Sequence, residues 1–227
     1  MGRSFPRAAA TVASCIVLAG GLPAADPGFF AGGLCGISTL SADARTSLGG
    51  AEPAAGAYKP ENGSAVDVFA GWHANGYISF QGNYLRNTND VAITSILGSA
   101  SFEQARRSSQ DAFMGDALLY FRDRSSWVRP YLSAGAGTVR IDSRATGLLS
   151  NSGSLPLPPP EFSATHFAFR VAVGIDIVSK SNWGFRYSFS ETMSGNPFSQ
   201  QLAPRGQRGL ANFQNLFGVV KYFGHRS

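Results

Sequence analysis

Cysteine is nearly absent, at two of 227 residues, and Cys15 falls in a stretch that reads as a cleaved leader. Cys35 then stands alone, so no internal disulfide can staple the mature chain. Histidine is scarce too. His73, His166 and His225 are scattered along the sequence, without the converging spacing that a metal site requires, and neither metal nor cofactor is expected. Charged residues make up 15% of the chain, with no Lys/Arg run beside aromatics, which argues against nucleic acid as a partner. After the leader, no apolar run approaches the roughly 20 residues that a helical membrane span needs.

What is present begins with that leader. Arg3 and Arg7 precede Ala8 to Leu22, an apolar stretch broken only by small polar residues, and Pro23-Ala24-Ala25 leads to Asp26. A basic start, a short apolar middle and small residues at the exit predict a signal peptide over 1–25, leaving one exported domain over 26–227. Val12-Ala13-Ser14-Cys15 matches a lipoprotein cleavage box, but too little apolar sequence precedes it. The mature chain keeps 17 Lys and Arg against 14 Asp and Glu, an ordinary net charge of +3. Glycine (27) and phenylalanine (17) are abundant. The first lets backbones approach and curve, and the second suits a buried or lipid-facing surface.

The clearest periodicity is Phe167, Phe169, Val171, Val173, Ile175, Ile177, with Ala168, Arg170, Ala172, Gly174 and Asp176 between them. Successive side chains of a strand point to opposite faces, so one face here is wholly apolar and the other small or charged. Trp183, Phe185, Tyr187 and Phe189 repeat the pattern against Gly184, Arg186, Ser188 and Ser190, and Ser179-Lys180-Ser181-Asn182 joins the two as a hairpin. Bulky residues outside and polar ones inside is the order of a membrane barrel. A soluble ligand carrier would place the same apolar residues on its inner parity.

The long-range layout decides between them. Candidate strands run near 30–40, 64–72, 77–88, 107–121, 128–141, 164–178, 183–194 and 211–223. Gaps of 23, 18, 22 and 16 residues alternate with gaps of 4, 6 and 4. Outer-membrane barrels alternate short periplasmic turns with long outer loops in this way. The fold predicted is all-β: an eight-stranded antiparallel up-and-down transmembrane β-barrel with both ends in the periplasm. Several strands exceed the 9–11 residues that cross a bilayer, so their outer ends project beyond it. Two strands are weaker. Phe30 to Leu40 alternates poorly, and Ser101-Phe-Glu-Gln104 also fits a helix cap opening a helix over 102–112. Leu155-Pro-Leu-Pro-Pro-Pro160 cannot join a ladder and stiffens its loop.

Gly76-Tyr-Ile-Ser-Phe-Gln-Gly-Asn-Tyr-Leu-Arg86, Arg129-Pro-Tyr-Leu-Ser-Ala-Gly-Ala-Gly137, Arg170 to Asp176, Trp183-Gly-Phe-Arg-Tyr187 and Leu216-Phe-Gly-Val-Val-Lys-Tyr-Phe-Gly224 together resemble the OmpA-like transmembrane domain. More broadly they resemble the outer membrane protein β-barrel family. The resemblance covers most of the chain from residue 30. It implies an outer-membrane location, with membrane lipids, lipopolysaccharide and the barrel-assembly machinery as partners. Such barrels serve as anchors, adhesins, small pores and occasionally enzymes. A terminal aromatic looks like part of the family's assembly signal, and here Phe223 is followed by Gly-His-Arg-Ser227.

On the assigned parity Asp67, Asp116, Arg170, Asp176 and Arg186 all face the lumen, with Gly135, Gly137, Gly174 and Gly184 giving them room. Isolated charges in a narrow interior are costly unless paired, so at least one direct Arg–Asp contact is expected. Two readings follow: a packed ionic and polar network that seals the barrel, or a water-filled channel lined by the same groups. A lipid-modifying enzyme would need a histidine beside a serine or acid near the outer rim. Ser188-Phe-Ser-Glu191 has no adjacent histidine, and Ser163 with His166 is the nearest substitute. His73, in a turn, and the other two histidines read as single surface residues. The expectation is a monomeric, non-enzymatic structural or surface-interaction protein whose long loops meet an unidentified extracellular ligand.

Overall fold

A computed structural model describes residues 28–41, 46–48, 54–202, 205 and 208–223. The leader over 1–25, and His225 with the tail around it, lie outside the described residues. Among the described residues ten strands form one antiparallel sheet. They are β1 (Phe29–Leu40), β2 (Thr46–Leu48), β3 (Ala54–Pro60), β4 (Gly63–His73), β5 (Ile78–Leu97), β6 (Ala100–Tyr120), β7 (Val128–Ser152), β8 (Glu161–Val178), β9 (Trp183–Gly195) and β10 (Gly209–Tyr222).

Each of β4 to β9 pairs with the next strand in the chain, β9 pairs with β10, and β1 pairs with both β10 and β4. The sheet therefore curls, with an inner and an outer face. Three connections at one end are short: 74–77, 121–127 and 179–182. Asn182 adopts φ 62°, which its short polar side chain tolerates in a tight turn.

The opposite end departs from expectation. The gaps at 89–106 and 142–163 are mostly strand. β5 runs on to Leu97, turns through Gly98 at φ 60°, and returns as β6 from Ala100, so 102–112 is strand and not helix. β7 extends to Ser152. The reason is a reversal of pattern along each strand. Up to Tyr84, β5 turns Ile78 and Phe80 outward and Ser79, Gln81 and Asn83 inward; beyond it Arg86 and Asp90 point out while Val91 and Ile93 are buried. β6 and β7 reverse in the same way. Hydrophobic alternation on one fixed parity ends at that boundary although the strand does not.

β2 and β3 were not anticipated. β3 pairs with the far half of β5 (Pro60 opposite Val91), and β4 pairs with its near half (Ser64 opposite Thr88). The two are one strand interrupted at Glu61-Asn62, where the Glu61 N–H still donates to the Asp90 carbonyl at 2.8 Å. β1 keeps weak alternation because Gly32 makes space. A Cβ there would overlap the Phe69 ring and the Val219 carbonyl.

The outer face carries most of the large exposed apolar side chains, among them Phe80, Phe113, Phe167, Phe169, Val173 and Phe185. The inner face is layered. A small cluster including Phe30, Leu34, Phe69 and Tyr222 fills the end with short turns. A larger one with Leu40, Val91, Ile93, Phe102, Ile141 and Phe198 fills the far end. Polar and charged groups lie between them. Phe198, fully buried beside the 3-10 turn Ser199–Gln201, stacks obliquely on Tyr58 with ring centroids 5.7 Å apart and stoppers that end.

Candidate functional site

All five charged residues singled out from parity are buried on the inner face, each less than 5% exposed. Asp176 and Arg186 face one another across the β8–β9 ladder. Arg186 donates Nε–H to Oδ1 at 2.6 Å and Nη2–H to Oδ2 at 2.7 Å, a two-pronged fork. Asp176 Oδ2 also accepts the Tyr120 hydroxyl at 3.0 Å and the Tyr222 hydroxyl. The guanidinium carbon lies 4.6 Å from the Phe69 ring centroid and 5.1 Å from that of Tyr131, so aromatic faces replace its water.

Arg170 bridges two acids. Its Nη1 donates to Asp116 Oδ2 at 3.0 Å and its Nη2 to Asp67 Oδ2 at 3.2 Å. Two amides on β5 join this group to the first. Asn83 donates to Asp116 at 3.0 Å and accepts from Gln81 at 2.5 Å, while Gln81 accepts from Arg186 Nη1 at 2.7 Å. One hydrogen-bonded chain thus runs Asp67–Arg170–Asp116–Asn83–Gln81–Arg186–Asp176. Two glycines make room for it. A Cβ on Gly135 would overlap Asp116, and one on Gly174 would overlap the Tyr131 ring. Gly137 and Gly184 instead leave space beside Met114 and Val220.

Several residues of this interior were missed from sequence. Gln81 and Asn83 share the inward parity of β5, and extending that parity would have found them. Arg129 is buried with its guanidinium carbon 3.8 Å from the Tyr120 ring centroid, and its Nη2 donates to the Gly76 carbonyl at 3.2 Å. Arg106 is buried near the far end, donating to Gln104 at 2.6 Å and to the Pro159 and Pro160 carbonyls. The proline segment is therefore pinned over the inner face by an arginine.

The histidines correct the sequence view. His73 is not a surface residue; the inward parity of Asp67, Phe69 and Gly71 carries through it. Its Nδ1 lies 2.5 Å from Ser79 Oγ and its ring 4.8 Å from that of Phe30. His166 is half-buried on the inner parity of β8, whereas Ser163 is exposed on the outer parity. The two point to opposite faces and do not form a nucleophile–base pair. Among the described residues no group of three or more His, Cys, Asp or Glu is placed to hold a metal.

An antiparallel sheet that turns its aromatics outward and its ion pairs inward has the construction of a membrane β-barrel. The model of the outer membrane protein beta-barrel domain matches residues 8–213, and the chain belongs to that family, which places it in the outer membrane. Among solved structures it is similar to Neisserial surface protein A (NspA), with 18% identity over 86% of this chain and 97% of that one, at a TM-score of 0.54. OprG from Pseudomonas aeruginosa shares 13% identity over 87% and 97%, at a TM-score of 0.49. Ail of Yersinia pestis, solved with the heparin analogue sucrose octasulfate, shares 8% over 86% and 99%, at 0.46. The likeness to Neisserial surface protein A is one of fold. No curated protein matches the chain.

Proposed function

We propose that the chain is a monomeric, closed, eight-stranded up-and-down barrel, exported by a signal peptide over 1–25 and spanning the outer membrane over 26–227. Its interior is a sealed plug and its far end a surface for extracellular contact. Support for closure is the pairing circuit β1–β4–β5–β6–β7–β8–β9–β10, which returns to β1. The observation that carries the sealed reading is the continuous chain from Asp67 to Asp176, held between two apolar clusters. A water path would have to break ion pairs and displace buried aromatics in turn.

In this reading the protein performs no covalent chemistry. It is a structural or surface-interaction barrel, with β10 as the strand handed to the assembly machinery, lipopolysaccharide around its outer rim, and the projecting ends of β5 to β7 offered to a ligand. Planar-bilayer recording on the refolded wild type tests it. The sealed barrel gives a quiet baseline, and large, steady openings would establish the pore instead.

A further inference from the structure

Arg129 is the buried cation that the charge network leaves out. It stands opposite Asp176 on the β7–β8 ladder, yet among the described residues Asp176 is ion-paired with Arg186 alone. Arg129 donates one hydrogen bond there, from Nη2 to the Gly76 carbonyl, and its guanidinium carbon lies 3.8 Å from the centre of the Tyr120 ring. Its Nε–H is buried with no acceptor. Asp116 does not reach it, because that residue stands opposite Gly135, about 20 Å further along β7. Other charges at this end make the deficit larger. Arg129, Arg124 and Arg186 all add positive potential at His73, and Asp176 opposes them.

His73 supplies a second unused group beside the same rings. Its ring centroid is 5.8 Å from that of Tyr120 and 5.6 Å from that of Tyr222. Nδ1 meets Ser79 Oγ at 2.5 Å, and Nε2 is buried without a partner. With the Ser79 hydroxyl donating to Nδ1, the ring proton sits on Nε2, which becomes a donor. Water fits such a pair of donors poorly. A water accepting both N–H groups needs acceptors for its own hydrogens, and those nearby are already engaged. Asp176 accepts from Arg186, Tyr120 and Tyr222, the Tyr120 oxygen from Arg186 Nη2 at 2.9 Å, and the Gly76 carbonyl from Arg129. An anion accepts from both donors and needs nothing in return. It also compensates a guanidinium that is otherwise desolvated without a counter-charge.

We propose that the end of the interior beside the short turns holds one small inorganic anion of chloride size between Arg129 and His73. The inference goes beyond the structural and surface roles above, and it does not depend on which side of the membrane this end faces. Size is limited by burial: Arg129, His73 and Tyr120 are each less than 5% exposed. A monatomic ion sheds its water more readily than phosphate or sulfate and needs less room among these rings. The anion completes the plug at this end, pairing with Arg129 as Asp176 pairs with Arg186.

Anomalous diffraction from crystals of the refolded full chain soaked in sodium bromide tests the proposal. A bromide peak within hydrogen-bond distance of Arg129 Nε and His73 Nε2 is expected. Peaks confined to exposed cations such as Arg122 or Lys180 would show an adventitious ion only, and no peak would mean water; either result overturns the site. Urea unfolding in lipid vesicles gives the energetic arm. Titrating chloride against gluconate at constant ionic strength should raise the folding equilibrium constant roughly tenfold for each tenfold rise in chloride beyond saturation. Arg129→Gln should abolish that response, His73→Phe, which keeps an aromatic ring in the stack, should weaken it, and Arg122→Gln should leave it intact. A wild type indifferent to chloride, or an Arg129→Gln protein that still responds, defeats the proposal. Heat-modifiable migration checks that each protein is folded, and if Arg129→Gln is not, His73→Phe and the bromide peak decide.

Discussion

Arg186 and Asp176 stand directly opposite on β9 and β8 and share two hydrogen bonds of 2.6 and 2.7 Å, with both side chains almost fully buried. Removing one partner strands the other. Arg186→Met should destabilise the protein by about 3–5 kcal/mol, whereas Arg186→Met with Asp176→Leu should recover most of that loss. Urea unfolding in lipid vesicles measures both. A single variant as stable as wild type would mean that water already reaches the pair.

Val173 is 48% exposed on the outer parity of β8, among Val171, Phe169 and Ile177. Val173→Arg should cost about 2–4 kcal/mol if this position meets the bilayer midplane. Refolding into vesicles provides the readout, and an unchanged midpoint would remove Val173 from the lipid face.

Gly135 touches Asp116 so closely that a methyl group has no space. Gly135→Ala should push Asp116 away from Arg170 and cost about 1–3 kcal/mol. Gly147→Ala is the matched control, because nothing lies within 4 Å of a Cβ there. Equal effects from the two would dissociate the cost from Asp116.

At the turn between β6 and β7, Asp123 Oδ1 accepts bonds from the hydroxyls and amides of Ser125 and Ser126, at 2.7–3.2 Å. The Ser125 hydroxyl foremost, and then that of Ser126, hold the Asp123 carboxyl below its ordinary value of 3.8. A depressed carboxyl stabilises the fold above its unfolded value, and that contribution disappears as pH falls through the folded value. Exchange protection of the Ser125 and Ser126 amides should therefore persist at pH 5 and fade below about pH 4. Asp123→Ala should show no such step.

Where one face meets lipid and the other a narrow interior, strand and parity were legible together, and Asp67, Asp116, Arg170, Asp176 and Arg186 lie on the inner face that alternation assigned to them. Legibility ended where water replaces lipid. Beyond Tyr84 on β5 and Phe113 on β6 the outer face turns polar, so the same ladder reads as a hydrophilic loop. His73 was misplaced for a related reason: a short turn follows it, yet the strand ends on it and not before. Neither the bend at Glu61-Asn62 nor the join through Gln81 has a local signature, since both depend on which strand lies alongside.

The β5–β6 hairpin continues about eleven residues past Arg86, on the order of 36 Å of paired strand. It behaves as a stalk more than as a loop. A partner that grips its tip finds a shape already assembled and spends little ordering entropy on it. In the proposed orientation the height of the tip above the bilayer is set by hydrogen-bonded backbone, so a shorter hairpin of identical tip sequence would keep the same shape and lose only its reach.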